Sequence, residues 1–417
     1  MHAPTSDLGE RPVARCDLLG AAPFSDDETG LSRFYLTPSH RHALDSLASW
    51  TVEAGMTVRL DPLGNLIGRY EGLEPGAQAL LIGSHIDTVR NAGRYDGTLG
   101  VMIGVECVAA FARAGRRLPF AIEVIAFGDE EGSRFPASML CSRGLVEPAN
   151  LAVLDLADEA GITLRQALAD FDLDPKRIGE AARDPAKVLA YVEAHIEQGP
   201  VLEAAGLPIG VVTGIAAQLR LKARFVGEAG HAGTSPMGLR RDAVAGAAEA
   251  VLAVEAICRA GPEDLRGTVG RVLPSTQAYN VIVGEAEVGV DLRAATGAVR
   301  DAAAKAIRAR FEEVAAARGL ALQFEVVQDL PASPCDPRLV ALMDEAVADV
   351  GVRPFQLVSG AGHDAMTMAV LAPSAMLFIR CERGVSHNAA ERVASADVDL
   401  AVRALIAFID RLAETEL

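Results

Sequence analysis

Two short apolar runs, Ala79–Ile82 and Ile122–Phe127, each end at a glycine and open at once into a polar loop rich in His, Asp and Glu. Nothing else in the chain restricts its fold as strongly. Continuous apolar runs of this kind, bounded by Gly, read as strands buried on both faces. Between them, residues 97–113 carry an apolar helical face that begins in a Gly-rich turn after Asp96. Strand, polar loop, helix and strand again is the order of an open α/β sheet. In such sheets ligands collect at the carboxyl ends of the strands.

The pattern changes near residue 209. Val211–Val226 and Tyr279–Leu292 alternate as half-buried strands do, residues 240–259 and 298–317 are Ala-rich with helical spacing, and Ala321–Val327 closes with a strand. Such a split β-α-β order predicts a compact inserted α+β unit over 209–328, and the α/β pattern resumes in Ala375–Arg380 and a helix from Ala396. The expected architecture is one α/β domain, 1–208 with 329–417, interrupted by a smaller one.

Composition removes several function classes. Fifty-six acidic against 39 basic residues give a net charge of −17, the wrong sign for nucleic acid or an anionic membrane. The six cysteines are scattered without a CxxC pair, so they read as small buried hydrophobes in a reducing cytoplasm rather than a disulfide or zinc framework. The N-terminal stretch lacks an apolar signal core, and no apolar run reaches the ~18 residues of a membrane span.

Five of the eight histidines stand in short polar motifs: His85 in GSHIDT, His195 in AHIEQG, His231 in GHAG, His363 in GAGHDA and His387 in SHNAAE. His2, His40 and His42 lie in polar surroundings and read as surface or ordinary hydrogen-bonded residues. Each motif His taken singly is more often a satisfied structural residue than a ligand. Asp87, Asp96, Glu130 and Glu131 change that balance. Asp87, two residues after His85, is placed to accept the other ring N–H and fix its tautomer. Asp96 sits in a Gly-flanked turn where its two oxygens can bridge two cations. Adjacent Glu130 and Glu131 repel each other unless a cation offsets them, so one can ligate while the other moves protons. With no HExxH, CxxC or GxxxxGK[ST] spacing and no nucleophile elbow, a dispersed set of N/O donors remains. Such a set suits Zn²⁺, Mn²⁺ or Co²⁺, and the Asp bridge suggests two metals ~3.5–4 Å apart.

In order along nearly the whole chain, SHIDTV, YDG, EEGSRF, HIEQGPVLE, GHAGTSPM, NVI, DLR, SGAGHDAM and SHNAAE together resemble the hydantoinase/carbamoylase branch of the M20 metallopeptidase-like amidohydrolases. The resemblance implies a split metallo-aminopeptidase-like α/β catalytic domain with an inserted ferredoxin-like lid and dimerisation domain. It implies one cation held by His85, Asp96 and His195 and another by Asp96, Glu131 and His387, with Mn²⁺ or Zn²⁺, or else Co²⁺ or Ni²⁺, as the metal. Glu130, with Asp87 beside it, matches the catalytic base. Gln198, His231, Asn280, Arg293, Gly362 and His363 match substrate-binding positions. Arg293 suits a substrate carboxylate, though a strand-end salt bridge is an equal reading. His231 and Asn280 would act by closure of the lid. The reaction implied is hydrolysis of a ureido C–N bond. MLFIRCERGVSHN and the opening CDLLGAAPFSDDETGLSRFYLTPSH resemble allantoate amidohydrolases, and Arg380 is the candidate for a second ureido arm. N-carbamoyl-L-amino acid hydrolysis is the alternative, and a non-catalytic ureide- or metal-binding protein a remote one. Ala389 replaces the family's Pro, and STQAYN replaces its PNA-like approach to Asn280.

Overall fold

The structure, a computed structural model, describes residues 7–415; His2 lies outside them. The chain divides into two compact units, Met1–Thr213 with Cys335–Leu417, and Gly214–Pro334.

The larger unit is built on a mixed sheet. Ala79–His85 and Ala121–Phe127 are strands with every residue buried, which is why they read as continuous apolar runs rather than alternating ones. Strand order is Thr57–Leu60, Leu66–Tyr70, Ala121–Phe127, Ala79–His85, Val188–Ile196, Ser374–Ile379 and Ile209–Ile215. The four central strands run parallel and the flanking pairs antiparallel. The helix Thr98–Arg113 lies against the central strands and is buried on nearly all sides, because Glu10–Leu19 and Ser395–Ala413 cover its other face. At Gly100 a Cβ would fall 2.1 Å from the Ala194 carbonyl, so helix and sheet meet backbone to backbone. Each Leu or Ile side chain sealed in this layer contributes roughly 1.5–3 kcal/mol.

The expected boundaries of the inserted unit, 209 and 328, fall instead at 214 and 334. The alternation across Val211–Val226 is two strands broken at Ala216: Ile209–Ile215 pairs antiparallel with Ser374–Ile379, and only Ala217–Val226 belongs to the smaller sheet. At the other end Ala321–Leu330 keeps its pairing as far as Leu330 opposite Gln218.

The smaller unit has the β-α-β-β-α-β order of a ferredoxin-like fold, with strands 321–330, 217–226, 285–294 and 266–274 side by side and all antiparallel. Glu285–Ala294 alternates cleanly, burying Ala286, Val288, Val290, Leu292 and Ala294 beneath helices Ala243–Ala260 and Gly297–Arg318. Asp242 and Thr296 cap those helices by accepting from first-turn amides. The strand Arg266–Pro274 escapes the sequence reading because it is a largely exposed edge interrupted by two glycines.

Of the two readings of His40, surface or hydrogen-bonded, the structure has the second, with the residue fully buried. Its Nδ1 accepts from the Leu36 amide (3.1 Å), its ring stacks on Phe171, and burial pushes its pKa down to about 3. All six cysteines are free, five of them buried. Among the described residues no helix is long and apolar enough to cross a membrane.

Candidate metal centre

Parallel strands deliver their carboxyl ends to one edge of the sheet, and four such ends supply the chemistry. His85 is the last residue of its strand; Asp129, Glu130 and Glu131 follow Phe127; His195 is the penultimate residue of Val188–Ile196; the segment after Ile379 carries Ser386, His387 and Glu391. Tyr95–Asp96–Gly97 comes from the turn that starts the central helix. Gly97 has φ +62°, and a Cβ there would lie 2.4 Å from the His85 ring, so only glycine lets this turn approach the histidine.

Asp96 stands at the centre. Its Oδ1 is 3.2 Å from His195 Nε2 and 3.8 Å from His85 Nε2, and its Oδ2 is 3.1 Å from His387 Nε2. Glu131 Oε1 is 3.4 Å from that same His387 nitrogen. Two groups with ligand atoms within 4.8 Å of one another result, His85–Asp96–His195 and Asp96–Glu131–His387, sharing Asp96. These are the five side chains that the resemblance assigns to metals.

Hydrogen bonding tests whether a cation fits. His85 Nδ1 faces the Asp87 carbonyl at 3.0 Å and His195 Nδ1 faces the Ile196 carbonyl at 2.9 Å. In each neutral ring the Nδ1 proton is therefore committed and the Nε2 lone pair points inward, that of His195 also receiving the Gly97 amide at 3.2 Å. Asp96 Oδ1, between those two lone pairs, is buried and accepts no hydrogen bond. The Gly97 amide reaches only His195, so Asp96 Oδ1 stays unmet beside two imidazole nitrogens, which is costly at a buried point unless positive charge joins them. The electrostatics carry the same message. Burial opposes charge on His85 and His195, yet the neighbouring carboxylates hold both above the usual imidazole range. The hydrogen bond to Asp96 pushes His387 up to about 9, while Asp96, despite burial, is drawn well below the usual carboxylate range by the histidines. Protons meet this demand only by crowding like charges, since the His85 and His195 rings are 5.7 Å apart. A divalent cation meets it through imidazole and carboxylate donors without adding like charge to the rings.

A further buried group, Glu193–His195–His363, is a different case. Glu193 already accepts from the Ser84 hydroxyl and the Ala365 amide, and shares the Tyr191 hydroxyl with the Gly83 carbonyl, so both its oxygens are taken. His363 Nε2 is 2.9 Å from the Ser359 hydroxyl, and burial keeps its ring neutral.

Glu130 is 8% exposed and lies in one group with His85 and Glu131. Burial holds its carboxyl well above the usual range, with Glu131, Asp364 and Asp87 adding to the effect and His85 opposing it. Burial likewise pushes Glu131 up to about 7. Asp87 lies beside the His85 ring as expected and does more. The His85 Nδ1 lies 3.0 Å from the Asp87 backbone carbonyl and 3.4 Å from its carboxylate, which also accepts the amides of Glu130 (3.0 Å) and Glu131 (3.2 Å). Its side chain thus fixes the acidic pair, because two turns related by no sequence proximity meet there.

Arg380 is held by an acidic neighbour. Its guanidinium makes a bidentate pair with Asp397, both bonds 2.9 Å, in a pocket with Glu203, Glu382 and Arg392. Two of its guanidinium nitrogens are engaged there, as those of Arg293 are with Asp291. Gln198 sits beside the ligands, donating to Asp96 Oδ2 (2.9 Å) and Ser386 Oγ (3.2 Å) from a left-handed backbone, φ +57°. Gly362, in the turn before His363, approaches the Met139 side chain. In the smaller unit, His231 and Asn280 are brought together where Gly230–His231 pairs with Val281–Ile282 and the Ala232 amide donates to the Asn280 carbonyl. Arg293 makes a bidentate pair with Asp291 at 2.7 and 3.0 Å. Sequence reasoning missed Ser386 and Glu391, though both stand in the SHNAAE motif, because only His387 there has a familiar ligand role.

A profile of peptidase family M20/M25/M40 matches residues 81–411. The N-carbamoyl-L-amino acid amidohydrolase of Geobacillus stearothermophilus is 41% identical over 387 residues, 93% of this chain and 94% of that protein. The allantoate deiminase of Arabidopsis thaliana is 38% identical over 435 residues, 97% of this chain and 82% of that one. Among solved structures, an amidase of the hydantoinase/carbamoylase family from Burkholderia multivorans matches with a TM-score of 0.90 at 32% identity, covering 98% of both chains.

Proposed function

Because the chain belongs to peptidase family M20/M25/M40, we propose that it hydrolyses the ureido C–N bond of a small carboxylate with two divalent cations held by His85, Asp96, Glu131, His195 and His387. The chain is a hydrolase of C–N bonds other than peptide bonds, as its amidohydrolase relatives are. The observation that carries the metal assignment is the bare, buried Asp96 Oδ1 between two inward-facing imidazole lone pairs.

Bound divalent cations would supply a water of lowered pKa and polarise the ureido carbonyl. The chain's own part is proton management and positioning. Glu130, buried and of raised proton affinity, takes a proton from the attacking water and returns it to the leaving nitrogen. Asp87 keeps Glu130 and Glu131 in place through their amides. Gln198, His363 and the Gly362 turn are the substrate-contacting candidates of this unit. His231, Asn280 and Arg293 are those of Gly214–Pro334, which we also take to carry a homodimer contact along its exposed edge strand, where Val272 and Leu273 are 43% and 47% exposed. A monomer by sedimentation velocity would remove the dimer. Free thiols throughout fit a cytoplasmic setting.

Allantoate is the proposed substrate, giving ureidoglycine, ammonia and CO₂. With Arg380 engaged by Asp397, this choice rests on the N-terminal segment and the RC stretch. N-carbamoyl-L-amino acids are the second reading, favoured by the relative at 41% identity. Assay of metal-loaded protein on allantoate and N-carbamoyl-L-methionine separates them. The expected result is allantoate turnover at the higher kcat/KM; turnover of carbamoyl-methionine alone would overturn the first reading.

A further inference from the structure

Behind the ligands lies a hydrogen-bond arrangement with one proton too few. The Ser386 hydroxyl is 3.0 Å from Asp96 Oδ2 and 3.1 Å from Glu391 Oε2, and it also accepts from Gln198 Nε2 at 3.2 Å. A hydroxyl has a single hydrogen, so it serves one carboxylate at a time. Glu391 is 0% exposed, and its other oxygen accepts the amides of Tyr95 (2.7 Å) and Asp96 (3.2 Å). Gly93 makes room for this carboxylate, since a Cβ there would lie 2.2 Å from Glu391 Cδ.

From this arrangement we infer that Glu391 is a positioning residue that sets cation affinity by giving the Ser386 proton an acceptor other than Asp96. The inference rests on the reading of Asp96 as the shared ligand. An oxygen that gives one of its lone pairs to a hydrogen-bond donor has less electron density left for a cation. Asp96 Oδ2 faces two donors, Gln198 Nε2 and Ser386 Oγ. When the Ser386 proton turns to Glu391, one of them is withdrawn, and the Asp96 turn stays fixed because Glu391 Oε1 still holds its amides.

The isosteric variant Glu391→Gln isolates this effect. Its carboxamide oxygen must face the Tyr95 and Asp96 amides, which puts the NH₂ group opposite Ser386 Oγ. Ser386 then accepts from that introduced NH₂ and from Gln198, and its proton is committed to Asp96 Oδ2. Competition of the apoprotein with a chromogenic chelator for Zn²⁺ should show about 10-fold weaker binding, the scale usual for an outer partner of a metal ligand. Circular dichroism should show a folded protein. Ser386→Ala removes the hydroxyl, so Ser386→Ala/Glu391→Gln should bind Zn²⁺ within about 3-fold of Ser386→Ala alone, the coupling that a double-mutant cycle reads. Equal affinity of Glu391→Gln and wild type overturns the inference. So does a double variant as weak as Glu391→Gln. A wild-type protein that takes up no Zn²⁺ overturns the cation reading itself, which is a separate result.

Discussion

Glu130→Gln is expected to lower kcat by about 10²–10⁴-fold, the usual contribution of a positioned acid–base group, while bound metal is unchanged. Glutamine preserves the shape and leaves the backbone amide of residue 130 on Asp87. What it removes is the oxygen that can take a proton from water and give it to nitrogen. Glu130 also groups with His85 and Glu131 as a possible ligand set, so elemental analysis alongside kinetics decides its role. Loss of metal in step with activity would make Glu130 a ligand, and retained activity would remove it from the reaction.

Asp96→Ala is expected to be the most damaging single change. Both ligand groups share Asp96, so both lose a member, and no other carboxylate reaches both His195 and His387 among the described contacts. Activity should fall by at least about 10⁴-fold, since the catalytic advantage of an activated water goes with the cations. Stability gives an independent readout. Metal at 100 times its Kd stabilises a binding protein by about 2.7 kcal/mol. Wild type should therefore melt at a higher temperature with added Zn²⁺, and Asp96→Ala should show no such shift. A variant that still gains stability from Zn²⁺ would contradict the shared-ligand assignment.

The sequence was most legible where burial is complete. Ala79–Ile82 and Ile122–Phe127 lie within strands buried on both faces, and such strands have no polar face to confuse the reading. The ordered motifs that resemble the M20 branch likewise brought His85, Asp96, Glu131, His195 and His387 forward as one set. It was poorest at edges and at meetings of distant segments. Arg266–Pro274 hides because an exposed edge strand lacks a buried alternation. The break at Ala216 hides because one continuous apolar alternation feeds two different sheets. Asp87 does stand beside His85, but its carboxylate also accepts the amides of Glu130 and Glu131, 43 and 44 residues on, a meeting that local spacing cannot show. Arg380 looked free because Asp397, its partner, lies 17 residues away on the following helix. Ser386 and Glu391 stood in plain view, yet their role depends on a turn 290 or more residues earlier in the chain.

The central claim is that Asp96 joins two cation sites at the carboxyl edge of this sheet. Crystals of the Zn²⁺-loaded protein, measured for anomalous scattering at the zinc absorption edge, test it most directly. Two peaks per chain are predicted, one among His85, Asp96 and His195 and one among Asp96, Glu131 and His387. A single peak, or two peaks of which only one touches Asp96, would contradict it.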